Sequence, residues 1–354
     1  MSEQDKKIEM DRMAPKSSGN LPPGIGPKLA KKYMKLLNSS VTQTSQDAEA
    51  DTQQLFSGGI AYVPNFGSNT VSVVDIRSAR LITNIPVGNA PFAVDISPDG
   101  RFAYVSNFVS ATLSIIRTLD NRVVNTVNLN TGIFTAAGSS GVKVTRNGRF
   151  VYVANFNSNN ISVVDAQQRS VVTVVPLTSS PSNIGIWGSL AYVTLPSTNQ
   201  IAVVDLNANL QVKTINGGDA EGIDIATLLP LALVTNQSNN TLSFINTNIA
   251  EASTLAIATG EFPTGVSFTP NGRMAYVANQ FSNDVSVIDL IRHTQVTIPV
   301  GVEPFGVKVN RSGRFAVVSN TGSDNLSIID TRVNQVIATV DVGIFPQYLA
   351  ILDL

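Results

Sequence analysis

Few side chains in this sequence suit acid–base or nucleophilic chemistry, and they are unevenly placed. There is one histidine, His293, and no cysteine. Thiolate nucleophiles, disulfides and Cys-ligated zinc are therefore excluded, and general acid–base catalysis lacks its commonest agent. His293 lies in the polar stretch Arg292-His293-Thr294, a hairpin sequence that leaves a side chain in solvent. No P-loop, zinc-ligand spacing or Gly-x-Ser-x-Gly elbow occurs. Carboxylates remain. Asp219, Glu221, Glu261, Asp284, Glu303 and Asp324 fall in or beside turns that contain neither Lys nor Arg. Such groups accept hydrogen bonds, attract cations or hold a divalent metal. Glu221, Asp284 and Asp324 are the candidates for Ca2+, although they are scattered and spell out no calcium-binding loop.

Arginine is segregated elsewhere. Thirteen arginines follow residue 56. Arg101, Arg146, Arg149, Arg273, Arg311 and Arg314 flank Asp-Gly, Asn-Gly or Ser-Gly turns. Their planar forks suit phosphate, so polyanion binding is one use for them. Pairing with the aspartates that end nearby apolar runs is the other. A third set is asparagine. Asn65, Asn107, Asn155, Asn236, Asn279 and Asn320 each stand three residues after a Tyr, Leu or Val, and Phe follows the first three. These amides either bond their own turns or line a polar funnel with an aromatic rim, a site for a neutral or cationic small molecule, a glycan or a peptide.

The elements that position these residues show in the bulk composition. Charged residues are 14% of the chain, against roughly a quarter in ordinary soluble domains. With 43% hydrophobic residues, this suits a large β protein whose strands are covered on both faces. A net charge of −1 predicts no global attraction to nucleic acid or anionic lipid. No segment has the roughly 18 consecutive apolar residues of a membrane-spanning helix. The opening MSEQDKKIEMDRM lacks the apolar core of a secretory signal. A soluble protein without Sec export is expected, cytoplasmic or carried to the surface by another route.

Residues 1–56 read differently from the rest. They hold seven of the ten lysines. Stretches 1–16 and 39–54 are polar and aperiodic, so a mostly disordered tail is expected. Between them Pro27 opens a short helix over 27–38. Leu29, Tyr33, Leu36 and Leu37 recur at helical spacing, with Lys28, Lys31, Lys32 and Lys35 between them. This basic amphipathic segment would dock on its own protein, on a partner or on a membrane surface.

From Tyr62 the chain repeats itself. Units open at Tyr62, Tyr104, Tyr152, Tyr192, Leu233, Tyr276 and Val317, at steps of 42, 48, 40, 41, 43 and 41 residues. Each reads as a Tyr-Val-x-Asn strand, a polar turn, a second strand ending in Asp, a polar hairpin and a third strand. A Pro/Gly turn and a fourth strand follow, closed by a turn such as Pro98-Asp99-Gly100 or Asn147-Gly148. Four strands per period of roughly 40 to 45 residues is the pattern of propeller blades. The chain opens with three outer strands and ends with an inner strand in 345–354. Pairing them would close a seven-bladed ring and remove its open edges.

The Tyr-Val-x-Asn opening, the Ser-Val-Val-Asp strand end, the Val-Gly-x-x-Pro turn and the Ser-Pro-Asp-Gly turn together resemble the YVTN-family β-propeller repeat over Gly59–Leu354. The resemblance implies an all-β fold over residues 57–354, seven blades of four antiparallel strands. It leaves function open. Similar propellers are surface-layer or cell-envelope proteins, DNA-binding proteins, or relatives of lactonases and cofactor-bearing dehydrogenases. Blade four departs from the pattern with Leu195 and Pro196 in place of Asn, and the segment Asn130–Ser140 is lengthened.

Strand order then assigns the faces. Turns from third to inner strand and from first to second strand lie on one face, the top. Its six acids are accompanied by no Lys or Arg, while all thirteen arginines fall on the bottom. On the inner strands one position reads Asp95, Lys143, Gly185, Asp224, Ser267, Lys308 and Ala350. Charges this close to the axis must pair or face channel water, and Asp95 with Lys143 is the expected adjacent pair. Phe102, Phe150 and Phe315 are expected in the core. Without exposed aromatics to stack bases, nucleic-acid binding is not favoured. The favoured reading is a non-catalytic binding or scaffold propeller without a cofactor, taking a protein, peptide or glycan partner through its top-face loops. A lactonase-like hydrolase using top-face carboxylates and a divalent metal is the alternative.

Overall fold

The computed structural model describes residues 58–130 and 138–353, with the Thr254 side chain left aside. The expected tail, its helix over 27–38 and most of the lengthened segment lie outside these residues. Within them, seven four-stranded antiparallel sheets are arranged as blades. Blade two is typical, with strands Pro91–Ile96, Phe102–Asn107, Thr112–Arg117 and Arg122–Asn128 from the axis outward. Blade one combines both termini. Ala350–Leu352 pairs inside Ile60–Asn65, followed outward by Thr70–Asp75 and Arg80–Pro86. Its register sets Ile60 opposite Leu352 and Tyr62 opposite Ala350, and an Asn65–Pro346 bridge continues the contact upward. The core is divided into layers between blades. Val71, Val73 and Ile85 of blade one, for instance, pack on Val105 and Ile116 of blade two.

The repeat residues have separable physical roles. The strand-end aspartate folds the next hairpin, as Asp165 Oδ1 accepts from the N–H groups of Gln167 and Gln168 at 2.9 Å. Each such hairpin then needs a residue at positive φ, supplied in turn by Ala79, Asn121, Arg169, Asn209, Ala250, His293 and Asn334. The repeat tyrosine reaches this residue on the next blade. Tyr62 donates its hydroxyl to Asn121 Oδ1 at 2.6 Å, Tyr152 to Asn209 at 2.8 Å and Tyr276 to Asn334 at 2.7 Å. Tyr192 faces Ala250 and bonds the Thr247 carbonyl instead, at 2.7 Å. Where the hairpin offers His293 or Ala79, the facing strand carries Leu233 or Val317 in place of Tyr. His293 is exposed, as its hairpin sequence predicts.

The third motif position also ties blades together. Thr235 Oγ1 donates to the Thr264 carbonyl and Ser319 Oγ to the Gln347 carbonyl, both at 2.7 Å, and each of those carbonyls lies on the next blade's inner segment.

Candidate functional site at the top of the axis

The inner strands run from top to bottom, so their side chains stack in levels around the axis. At the lower level Lys143 Nζ lies 3.2 Å from Asp95 Oδ1, the pair expected from the sequence. A second pair joins Lys308 of blade seven to Asp224 of blade five at 3.0 Å. It passes over blade six, where Ser267 Oγ approaches Asp224 at 3.4 Å. Both carboxylates also accept backbone N–H groups, from Val144 and Phe268, at 2.9 Å. Asp95, with help from Asp224, holds the Lys143 ammonium above its ordinary range against the opposing effect of burial. The two pairs bound a cavity of about 80 Å³ on the axis.

At the upper level the blades meet too closely for most side chains. A Cβ on Gly141 would sit 2.6 Å from the Ser182 carbonyl, and one on Gly265 as close to that of Phe305. Glycine is therefore required wherever one inner strand crowds the next. Asn183 and Tyr348 are the large exceptions. Tyr348, on blade one, reaches across the axis so that its hydroxyl lies 3.4 Å from Glu221 Oε1 on blade five and hydrogen-bonds with Asn183. Ser182 Oγ donates to the same carboxylate oxygen at 2.7 Å. Burial pushes the Glu221 carboxyl above the ordinary range, opposed by these two hydroxyl donors. Burial, reinforced by Glu221, raises the Tyr348 phenol well above 10. A buried carboxyl beside a phenol at the mouth of a pore can accept or donate a proton, or pair with a cation.

Tyr348 also ends a chain of rings. Phe66 lies 6.1 Å from Phe108, Phe108 6.0 Å from Phe92, and Phe92 5.9 Å from Phe305 and 5.7 Å from Tyr348. These rings are half-buried. Outside them stand Val109, 65% exposed, and Val302, Ile344 and Phe345, each about half exposed. On blade six Phe281, 58% exposed, stacks on Phe262 at 4.4 Å. The acids Glu261 and Glu303 are exposed on this rim. Asp219, Asp284 and Asp324 are half-buried and accept from Ser238, Asn279 and the Phe345 N–H.

Of the two uses open to the asparagines, bonding within their own blades is the one the structure shows, and none lines the funnel wall. Asn65, Asn107, Asn155, Asn236, Asn279 and Asn320 are at most 2% exposed. Their amides clamp the start of the second strand, as when Asn65 Nδ2 donates to Thr70 Oγ1 at 3.1 Å and Ser72 Oγ at 2.8 Å. A buried amide committed to its own blade presents nothing to a ligand. Of the carboxylates, Glu221 stands at the axis, while Glu261 and Glu303 stay on the rim. Among the described residues no three His, Asp or Glu side chains gather to hold a metal ion.

The bottom arginines mostly serve the hairpins. Arg101 pairs with Asp99 at 2.6 Å, Arg149 with Asp165 at 3.8 Å, Arg273 with Asp289 at 3.1 Å, and Arg314 with Asp330. Phe102, Phe150 and Phe315 are half-buried instead of fully in the core. Arg149 and Arg314 lie over the rings of Phe150 and Phe315 at 5.0 Å. Arg314 is thereby largely covered, while the Arg101 and Arg149 side chains stay 75% and 66% exposed. Arg146 and Arg311 stand at the lower mouth near Lys143 and Lys308.

Tyr348, Asn183 and Ser182 were not singled out by the sequence. The available signal was that Asn183 and Tyr348 stand where the other inner strands carry Gly or Ala, two residues before the position read as Asp95 and Lys143.

Residues 97–211 match the family described as Lactonase, 7-bladed beta-propeller. No curated protein matches the sequence. Among solved structures, the chain resembles Kuenenia stuttgartiensis hydrazine synthase, with 18% identity and a TM-score of 0.70 over 78% of this chain and 94% of that one. A functionally unknown protein from Desulfotomaculum acetoxidans aligns at 16% identity and a TM-score of 0.71, covering 83% and 98%. A Bacteroides fragilis protein described as a 6-phosphogluconolactonase aligns at 13% identity and a TM-score of 0.66, covering 84% and 98%. At these identities the likeness is one of fold. None of the described residues forms a helix long and apolar enough to cross a membrane.

Proposed function

We propose that this chain is a binding propeller of the YVTN-repeat kind whose top face takes a cationic, partly apolar partner, foremost a basic peptide. The observation that carries this reading is the pairing of six acids and no base with an unbroken line of rings leading to Glu221. Aromatic faces and desolvated carboxylates both favour ammonium and guanidinium groups. The like-signed field draws such a partner in and repels polyanions. Titration of a fluorescent Lys/Leu peptide tests it. Binding should weaken at least fivefold in Glu261→Gln/Glu303→Gln and fall with salt. Equal affinity for a Glu/Leu peptide of the same length would overturn it.

A second reading, a lactone hydrolase, is favoured by the family match over 97–211 and by the raised carboxyl of Glu221. In it Glu221 would move the proton and Tyr348 would donate to the developing oxyanion. Lactone hydrolysis abolished by Glu221→Gln would establish this reading over the first.

A further inference from the structure

A top face of that kind suits an occupant with spaced apolar side chains and interleaved positive charge. The chain carries one such segment outside the described residues. In Pro27–Asn38 the positions Leu29, Tyr33, Leu36 and Leu37 follow helical spacing, and Lys28, Lys31, Lys32 and Lys35 separate them. Anchors at such spacing are what an apolar surface reads from an amphipathic helix. We propose that residues 27–38 of the chain dock in cis on its own top face, laying their apolar side chains on Phe345, Ile344, Phe108 and Val109 and their lysines toward Glu261, Glu303 and Asp324. This rests on the reading of the top face as a site for basic partners and names the first of them.

The bottom face offers no such match, because its turns carry the arginines. Reach permits the top. The described chain begins at Gly58 on the bottom of blade one, where the Gly58 carbonyl accepts from Asn310 Nδ2. The twenty residues from Ser39 to Gly58 span up to roughly 66 Å when extended. Strands of six residues make a blade roughly 20 Å tall, and three inter-strand steps make it roughly 15 Å wide. A route out past the blade edge, up its side and back over the rim therefore fits.

The experiment uses the full chain. A fluorescein-labelled peptide of residues 27–38 is titrated into the unmodified protein and into Lys31→Glu/Lys32→Glu/Lys35→Glu, whose own segment is repelled by the acidic face. A tethered segment competes at an effective concentration near the millimolar range. The triple variant should therefore bind the added peptide about tenfold more tightly than the unmodified chain, for a peptide dissociation constant of roughly 0.1 mM. Zero-length carbodiimide coupling should join Lys28, Lys31, Lys32 or Lys35 to Glu261, Glu303 or Asp324 within the monomer. Equal binding to both proteins would overturn self-docking while leaving the top face a peptide site. Binding to neither would overturn both. Couplings to bottom-face acids, or found only in cross-linked dimers, would also overturn docking in cis.

Discussion

Removing a single phenolic oxygen from the inter-blade tyrosines should cost an amount set by what the oxygen leaves behind. Tyr276→Phe deletes a 2.7 Å hydrogen bond to Asn334 Oδ1. The tyrosine is 1% exposed, but Asn334 is half-buried, so water can take over its amide. The expected loss is the net value of one hydrogen bond, about 1 kcal/mol. Tyr192→Phe deletes a bond to the Thr247 carbonyl, and Thr247 is itself 1% exposed. Here the acceptor is stranded away from water, and the expected loss rises to about 2 kcal/mol. The converse substitution, Val317→Tyr, brings a larger side chain to a buried position facing Ala79 and should destabilise by about 1–3 kcal/mol through overpacking. Urea denaturation followed by tryptophan fluorescence and far-ultraviolet dichroism measures each loss as a shift in midpoint at constant slope. Equal costs at Tyr192 and Tyr276 would refute the argument that burial of the acceptor sets the magnitude. A stabilising Val317→Tyr would refute the claim that this position is fully packed.

Three further outcomes are expected. Burial raises the Glu221 carboxyl, so the folded state holds its proton above the pH at which the unfolded chain releases it; stability should decline as pH rises from the unfolded carboxyl range through the folded one. Glu221→Gln should flatten that decline in urea midpoints measured from pH 4 to 8, and an unchanged profile would contradict the buried carboxyl. Lys308→Met should cost roughly 1–3 kcal/mol by stranding Asp224, and adding Asp224→Asn should recover most of it, since removing both charges lifts the desolvation penalty; a purely additive double variant in the same denaturation assay would show that the pair is uncoupled. Deleting Phe345–Leu354 opens blade one, and should lower the thermal midpoint by well over 10 °C and promote self-association by size-exclusion chromatography; an unaltered monomer would contradict closure by both termini.

The sequence by itself determined the blade count, the strand order within a blade, the joining of the termini and the opposite character of the two faces. These follow from patterns that act over a few residues. Alternation and turn chemistry repeat every blade, and each copy states the same local hydrogen bonds. Asp95 with Lys143 was legible too, because adjacent blades bring equivalent positions side by side. Tertiary structure decided what happens at the axis. Tyr348 meets Glu221 across the ring, and Lys308 passes blade six to find Asp224. Those meetings depend on the radius left by glycine-lined inner strands and on which side chain is long enough to cross it. Burial likewise decided the asparagines, whose amides clamp their own blades, and the register of strand and hairpin decided which arginines meet an aspartate.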